Sequence, residues 1–295
     1  MDIILQQIVN AVSLGSIYAL LALGLAVVFA IVGLINFAHG EVMTIAGYGA
    51  LFALTLSFPL IGVLAFAILA ALAASLVMER VAFRPLRGAD VTTLLITSFA
   101  VSEVVKVLLQ NGISARVQAV MLPSWLSSSV AVGPVVIGVT PMISIGVTLV
   151  ALAGLALFLR GTMAGRAMRA AADDFQMLRA VGYPANRVIA TAFAVAGVLA
   201  AIAALLWVAQ RGSVDPLMGF VPVLKAFIAV VLGGLGSLIG AVAGGFILGA
   251  IEIGLQASLP DSAQPFRDAI ALGLVIALLL IRPNGLIPAK SSIRS

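Results

Sequence analysis

Three polar side chains stand close together where one long apolar run gives way to the next. They are Asn36, His39 and Glu41, within the stretch GLINFAHGE (33–41). A histidine and a carboxylate near a helix break in a membrane could relay protons, or they could contact a substrate or form part of a gate. They could also be structural, because Asn36 can satisfy free backbone groups and Glu41 suits the first turn of a helix. The three interpretations stay open, and the pattern predicts a discontinuous helix near 33–41.

Charged side chains also occur inside the apolar runs. Glu103 and Lys106 are three residues apart, so a helix places them on one face. A charge at mid-membrane costs roughly 2.5–3.5 kcal/mol on insertion scales, and we therefore predict that these two form a structural charge pair. Lys225 and Glu252 are expected to pair between helices or to extend toward the membrane surface. An external lip that receives a binding protein is the alternative for that second pair.

Glycine is concentrated in the run GGLGSLIGAVAGG (233–245). Gly233, Gly234 and Gly236 would let the chain turn, and a short apolar run interrupted by glycine is typical of a discontinuous helix near a transport path. The alternative is one tilted helix whose small residues pack against its neighbours. We predict a break near 233–240, because the orientation of the segments requires two helices there.

The composition defines the environment of these residues. Of 295 residues, 63% are hydrophobic and 9% are charged, and the mean hydropathy is +1.25. A water-exposed surface needs far more charge, so the predicted fold class is all-α, a polytopic membrane helical bundle in the lipid bilayer. The lack of cysteine and the single histidine argue against disulfides and thiolate metal sites, and no metal site is predicted. No P-loop motif or convergent catalytic set is present, and the dispersed basic residues do not predict nucleic-acid binding.

About eight to nine membrane segments follow from the apolar runs, in a single transmembrane domain over 1–295. Most Lys and Arg residues lie in three groups. These are the loop that follows the third segment, the loop 160–187, and the tail with Arg282, Lys290 and Arg294. The positive-inside rule places these groups, and the C-terminus, in the cytoplasm. The first four and last four segments then run in opposite directions, as in an inverted repeat. The predicted segments are 3–34, 41–57, 60–79, 91–110, 141–159, 188–209, 223–235, 237–254 and 267–282.

The loop 160–187 is the longest polar interruption of the chain. It predicts a short amphipathic helix that begins at an aspartate cap and ends at a glycine. A membrane protein with one structured cytoplasmic loop is expected to take its energy from a partner that holds that loop. The residues concerned are Asp173 or Asp174 as the cap, Phe175, Leu178 and Val181 on one apolar face, and Gly182 as the stop.

Four stretches together resemble one known family, in that family's order and over nearly the whole chain. They are AVVFAIVGLINFAHGEVMTIAGYGA (26–50), GRAMRAAADDFQMLRAVGYPANRVIATAFAVAGVLAAIAALL (165–206), DPLMGFVPVLKAFIAVVLGGLGSLIGAVAGGFILGAIE (215–252) and LLLIRPNGLIP (278–288). The sequence is similar to the permease subunits of ABC transporters for branched-chain amino acids.

This resemblance implies a non-catalytic permease subunit of an ATP-driven importer in the bacterial inner membrane. With the basic loops in the cytoplasm, the N-terminus is expected on the periplasmic side. The implied partners are a homologous second permease, two cytosolic ABC ATPases that carry ATP and Mg, and a periplasmic amino-acid-binding protein. The chain itself would bind no cofactor. The residues that would couple it to the ATPases are Ala171, Ala172, Asp173, Asp174, Phe175, Leu178, Val181 and Gly182.

The implied substrates are branched-chain or other small neutral amino acids. A substrate carboxylate could meet helix N-termini or free amides near 33–40 or 233–240. Within the same importer class, urea or short-chain amides are the alternative substrates. From another class, the alternative is an ion-coupled secondary transporter, with His39, Glu41 and Glu103 as its candidate residues. The predicted substrate path or gate consists of Asn36, His39, Glu41, Gly233, Gly234 and Gly236.

Overall fold

The computed structural model describes residues 2–132 and 135–287. Most of that chain is helical, as the composition predicts. The tail residues Lys290 and Arg294 lie outside the described residues. The α-helices are α1 (Asp2–Val32), α2 (His39–Thr55), α3 (Leu60–Met78), α4 (Val91–Gly112), α5 (Val139–Gly161), α6 (Met163–Asp173), α7 (Phe175–Ala180), α8 (Ala185–Arg211), α9 (Phe220–Gly233), α10 (Leu238–Ser258) and α11 (Arg267–Ile281).

Each of the nine predicted segments corresponds to one helix, which confirms the polytopic all-α bundle. Among the described residues, seven helices are long and apolar enough to cross a membrane, whereas α2 has 17 residues and α9 has 14. At a rise of 1.5 Å per residue, α9 is about 21 Å long and does not reach across a hydrocarbon core of roughly 30 Å. The chain that leads into α9 must therefore lie at membrane depth.

One end of the bundle is rich in arginine. There a π-helical turn (Glu79–Phe83) continues α3, and Arg87 of the following loop bonds to Glu79 and to Asn186 at the start of α8. The last residues of α1 line the same cavity as Arg87 and Asn186. The helices α6 and α7 and the turn between α9 and α10 also lie here. We call this the arginine-rich end.

The other end carries four short strands and is called the hairpin end. The end of α2, the start of α3 and the end of α8 meet there in an apolar cavity of about 380 Å³. The chain between α4 and α5 contributes three of the strands. The strands are β1 (Gln118–Ala119), β2 (Ser129–Val132), β3 (Val135–Gly138) and β4 (Ser213–Val214), with β1 antiparallel to β4 and β2 antiparallel to β3.

The contacts between helices repeat when the first four membrane helices are exchanged for the last four. Helix α1 packs against α8, α9 and α10, while α8 packs against α1, α2 and α3. Likewise α2 contacts α3 and α4, and α9 contacts α10 and α11. Because α1 ends and α8 begins at the arginine-rich end, the two groups run in opposite directions. These are the contacts that the predicted inverted repeat requires.

Helix α1 runs through the centre of the bundle and is buried from Ile17 to Val28. It crosses α10 with the two backbones in direct contact. A Cβ atom on Gly245 would lie 2.5 Å from the Cα atom of Ala19. Lipid provides no hydrophobic force between helices, so close van der Waals contact of this kind holds a membrane bundle together. The glycines of α10 therefore form a packing face.

Replacing Gly245 with valine should destabilise the bundle, because the new Cβ would overlap the backbone of α1. Overpacking of this kind costs about 1–3 kcal/mol, and we expect a clear fall in the thermal unfolding midpoint of the purified chain. Gly254→Val is the matched control, since a Cβ there meets nothing within 4 Å. Equal midpoints for the two variants would contradict the proposed contact.

Candidate functional site

Two helices begin halfway through the bundle and meet there. Gly40, in the first turn of α2, lies so close to Gly219, the residue before α9, that neither position has room for a side chain. The His39 side chain contacts Gly24 of α1. Gly24 precedes the end of α1 by about two turns, or roughly 12 Å. The chain therefore returns from the arginine-rich end into the bundle before α2 starts.

Residues 36–44 and 216–220 form a region that we call the helix-start junction. A buried hydroxyl connects its two parts. Thr44 Oγ1 accepts a hydrogen bond from the Gly219 amide at 3.2 Å and donates one to the Gly40 carbonyl at 3.1 Å. The first amides of a helix have no partner within that helix, so this contact satisfies a group that lipid could not. The junction thus depends on contact between the two halves.

The three predicted polar residues all belong to this junction. Asn36, His39 and Glu41 are each at most 3% exposed. Glu41 Oε1 accepts a hydrogen bond from Ser102 Oγ at 3.0 Å. Among the described residues, Asn36 Oδ1, His39 Nε2 and Glu41 Oε2 have no hydrogen-bond partner. Buried polar atoms are nearly always paired, so three such atoms together mark a place where a purely structural explanation is incomplete.

The capping interpretation of Asn36 is wrong. The N-cap residue of α2 is Ala38, and no side chain caps this helix. Asn36 contributes only its backbone carbonyl, which accepts a bond from the His39 amide at 3.2 Å. The hydroxyl of Ser98 on α4 accepts from the Phe37 amide at 3.3 Å instead. Ser98, which is distant in the sequence, therefore satisfies a free backbone group, as Asn36 was expected to do.

The predicted charge pair on α4 is present and reaches the junction. Lys106 Nζ lies 2.7 Å from Glu103 Oε1 and 4.1 Å from the centre of the Phe220 ring at the start of α9. Lys106 is buried, whereas the Glu103 side chain is 66% exposed. The pair thus connects the polar junction to an outer face of this chain.

The glycine run turns as predicted. Helix α9 ends at Gly233 and α10 begins at Leu238, and Gly234 and Gly236 both have positive φ angles. Glycine adopts these angles without the steric penalty of a side chain. Gly236 lines a cavity with residues of α6, so this turn lies at the arginine-rich end. It is well separated from the helix-start junction, although both were predicted to line one path.

The loop between α5 and α8 folds into two helices rather than one. Helix α6 contains Ala171, which is buried, and Ala172, which is exposed, and it ends at Asp173. Asp174 is the cap of α7, because its side chain accepts from the Met177 amide at 2.8 Å. Gly182 follows α7 with a φ of +84°. The cap and the stop are therefore Asp174 and Gly182.

The predicted apolar face of this segment is wrong. Phe175 and Leu178 are half-buried and pack against the bundle. Val181 lies just after α7 and is 79% exposed, and Met177 is 61% exposed. Helical spacing predicted which residues lie near each other. It did not predict that Phe175 and Leu178 would contact the bundle. The exposed large apolar side chains in and just after α7 are consequently Met177 and Val181.

The inner side of α7 faces a cavity of about 740 Å³ at the arginine-rich end. Phe175 and Arg179 form one wall of this cavity, and Arg87 with its partners Glu79 and Asn186 forms another. Residues of α7 therefore share this cavity with the loop that joins α3 to α4.

A second polar cavity, at the hairpin end, contains residues that the sequence did not single out. Lys225 Nζ lies 2.8 Å from Glu252 Oε1, which confirms the predicted pairing between helices, and the Tyr18 hydroxyl donates to Glu252 Oε2 at 3.0 Å. Gln210 reaches the hydroxyls of Ser13 and Ser144. The two charges were visible in the sequence as interruptions of apolar runs. Nothing in the sequence indicated that Tyr18 and Gln210 would join them.

An inverted pair of membrane half-bundles that meet at a buried polar junction is the architecture of a membrane transport protein. The sequence identifies the family of transport proteins to which this chain belongs. Residues 7–281 match the family described as branched-chain amino acid transport system / permease component. The match covers most of the chain, and the chain belongs to this family.

Individual relatives agree with the family match. The high-affinity branched-chain amino acid transport system permease protein BraD of Pseudomonas aeruginosa is 39% identical over 96% of this chain and 95% of its own length. LivH of Escherichia coli, with the same description, is 36% identical over the same shares. LivM of Escherichia coli is 32% identical over 42% of this chain and 28% of its own length.

Thr44→Val should weaken the helix-start junction. It keeps the shape of the side chain but leaves the buried Gly219 amide without a partner, at a cost of about 1–3 kcal/mol. We expect lower resistance of the purified chain to thermal and denaturant unfolding. In the control variant, Thr55→Val, the lost hydroxyl is exposed and lies at the far end of the same helix, so stability should hardly change. A similar loss in both variants would argue against the junction.

Proposed function

We propose that this chain is the membrane-spanning permease subunit of an ATP-driven importer that carries branched-chain amino acids inward. Full-length similarity to BraD and LivH is the observation that carries the proposal. The fold is consistent with it, because the described residues contain seven helices able to cross a membrane and a polar junction halfway across.

The energy would come from two separate ABC ATPases that bind ATP and Mg. The sequence contains no P-loop motif of its own. The exposed apolar side chains Met177 and Val181, next to the exposed Asp173 and Arg179, form a compact surface on α7. An apolar patch on a short helix can insert into a groove on a partner. Because α7 shares a cavity with the α3–α4 loop and the start of α8, its displacement would rock one half against the other.

The helix-start junction would be the gate on the substrate path. Two helix N-termini meet there, and the positive ends of their dipoles favour a carboxylate. Asn36, His39 and Glu41 offer further polar atoms at the same level. Separation of the two halves would expose these groups to an amino acid. In the conformation described here, the close contact of Gly40 and Gly219 keeps the gate closed.

The arginine-rich end would face the cytoplasm, as the positive-inside rule predicts. The hairpin end would then face the periplasm and receive substrate from a soluble amino-acid-binding protein. A second, homologous permease would complete the membrane part, since similarity extends to LivM as well as to LivH. The exposed apolar faces of α4 and α11 offer a surface for such a subunit.

The decisive experiment is uptake by the reconstituted set of permeases, ATPases and binding protein. Radiolabelled leucine, isoleucine and valine should accumulate in vesicles with ATP and Mg, and urea should not. Addition of a protonophore should leave the uptake unchanged, because ATP drives it. Uptake that follows a proton gradient without ATP, or uptake of urea alone, would refute the proposal.

A single cysteine tests both the orientation and the ATPase contact, because the natural sequence has none. A cysteine at Val181 should react with a membrane-impermeant maleimide only from the cytoplasmic side. Its labelling rate should fall when the ATPases are bound, since α7 would then be covered. Met121→Cys is the control, because Met121 is 92% exposed near the hairpin end and should react only from outside. Labelling of the cysteine at position 181 from outside would overturn the topology.

A further inference from the structure

The cavity at the hairpin end has a volume of about 590 Å³. Its walls come from α1, α8, α9, α10 and α11 and from the segment before α5. It is open to the end of the bundle that would face the periplasm. A substrate released on that side would meet this cavity before it reached the helix-start junction.

The charged residues at the floor of the cavity are Lys225, Glu252 and Arg267, from three different helices, and Asp268 lies beside them. Lys225 Nζ lies 2.8 Å from Glu252 and 3.3 Å from Asp268. The Tyr18 hydroxyl donates to the second oxygen of Glu252. Glu252 is only 3% exposed, whereas the Asp268 side chain is 61% exposed. Two carboxylates are thus held near one another, and one of them is open to solution.

A further arginine, Arg211, lies at the end of α8. Arg211 lines the same cavity, and its guanidinium lies 4.1 Å from the centre of the Trp207 ring. Among the residues that the structure describes, no carboxylate forms an ion pair with Arg211. The planar guanidinium suits two parallel hydrogen bonds to a carboxylate. The cavity therefore offers an anion-binding group in addition to its floor, where Lys225 and Arg267 balance the charges of Glu252 and Asp268.

Apolar side chains occupy the remaining wall. Leu126, Trp207, Val221 and Ile253 line the cavity beside the charged groups. Ligand sites of this kind combine apolar walls with a few convergent polar groups. The aliphatic side chain of a ligand could lie against this wall while its charged ammonium and carboxylate groups lie between Arg211 and the carboxylate of Glu252.

We propose that this cavity is a binding site for a free amino acid in its zwitterionic form, with an aliphatic side chain. Arg211 binds the α-carboxylate, and Glu252 binds the α-ammonium. Lys225 and Tyr18 are positioning residues, because they hold Glu252 in place without needing to touch the ligand. The assignment of an aliphatic amino acid depends on the proposed function. The proposal that a zwitterion binds here, with its two charges paired to opposite charges of the protein, depends on the cavity alone.

The sequence provides a reporter for this site. The chain has two tryptophans, so Trp125→Phe leaves Trp207, on the cavity wall, as the sole emitter. Leucine added to the full-length purified Trp125→Phe chain in nanodiscs should change the Trp207 fluorescence saturably. Leucinamide lacks the carboxylate and 4-methylpentanoate lacks the ammonium, so each should bind about tenfold more weakly or worse.

The substitution Arg211→Gln distinguishes a role of Arg211 in recognising the ligand carboxylate from a purely structural role. It should weaken leucine binding about tenfold, leave leucinamide binding unchanged and so abolish the preference between them. Arg211→Lys should restore part of the preference because it keeps the charge. Arg116→Gln makes the same charge change at an exposed position of the same end and should have no effect.

Two results would overturn this inference. One is the absence of a saturable response of Trp207 to leucine. The other is an equal loss of leucine and leucinamide binding in Arg211→Gln, which would indicate a general distortion. Uptake by the complete importer is measured separately. Continued leucine uptake without a Trp207 response refutes the cavity site and leaves the transport function standing, whereas absence of uptake refutes the function itself.

Discussion

The contact between the starts of α2 and α9 is the constraint on which the rest of the bundle depends. A helix that begins at membrane depth exposes amides that lipid cannot satisfy. Such a start is possible only where protein surrounds it, and here Thr44 and Ser98 supply the missing acceptors. This requirement explains why α1 and α8 are long and buried. They enclose the two segments, 33–38 and 212–219, that return into the bundle.

The charges within the bundle follow from the same requirement. Charged groups in a membrane are paired or face a cavity, and both arrangements occur here. Lys106 and Glu103 connect the junction to an outer face, while Lys225 and Glu252 form the floor of the hairpin-end cavity. The cavity, the junction and α7 succeed one another from the hairpin end to the arginine-rich end. In the proposed orientation this is the order in which a substrate would pass them.

Features that depend on neighbouring residues were predictable. The nine segments, the turn at Gly234 and Gly236, and the pair of Glu103 and Lys106 all depend on residues within a few positions of one another. The inner face of α7 was not predictable, because helical spacing shows which side chains lie together but not what they pack against. The separate helix α6 was missed for a similar reason, since its apolar residues are few and small and gain their burial only from the surrounding bundle.

The sequence by itself determined that this chain is a polytopic membrane bundle of the permease family, roughly where its nine membrane segments lie, and which charges lie within them. Apolar runs of sufficient length, caps and glycines carry that information locally. Only the tertiary structure decided that Gly40 meets Gly219, that Tyr18 binds Glu252, and that Arg211 and Glu252 line one cavity. These contacts join residues from distant helices, and they exist because the two halves pack in opposite directions around α1.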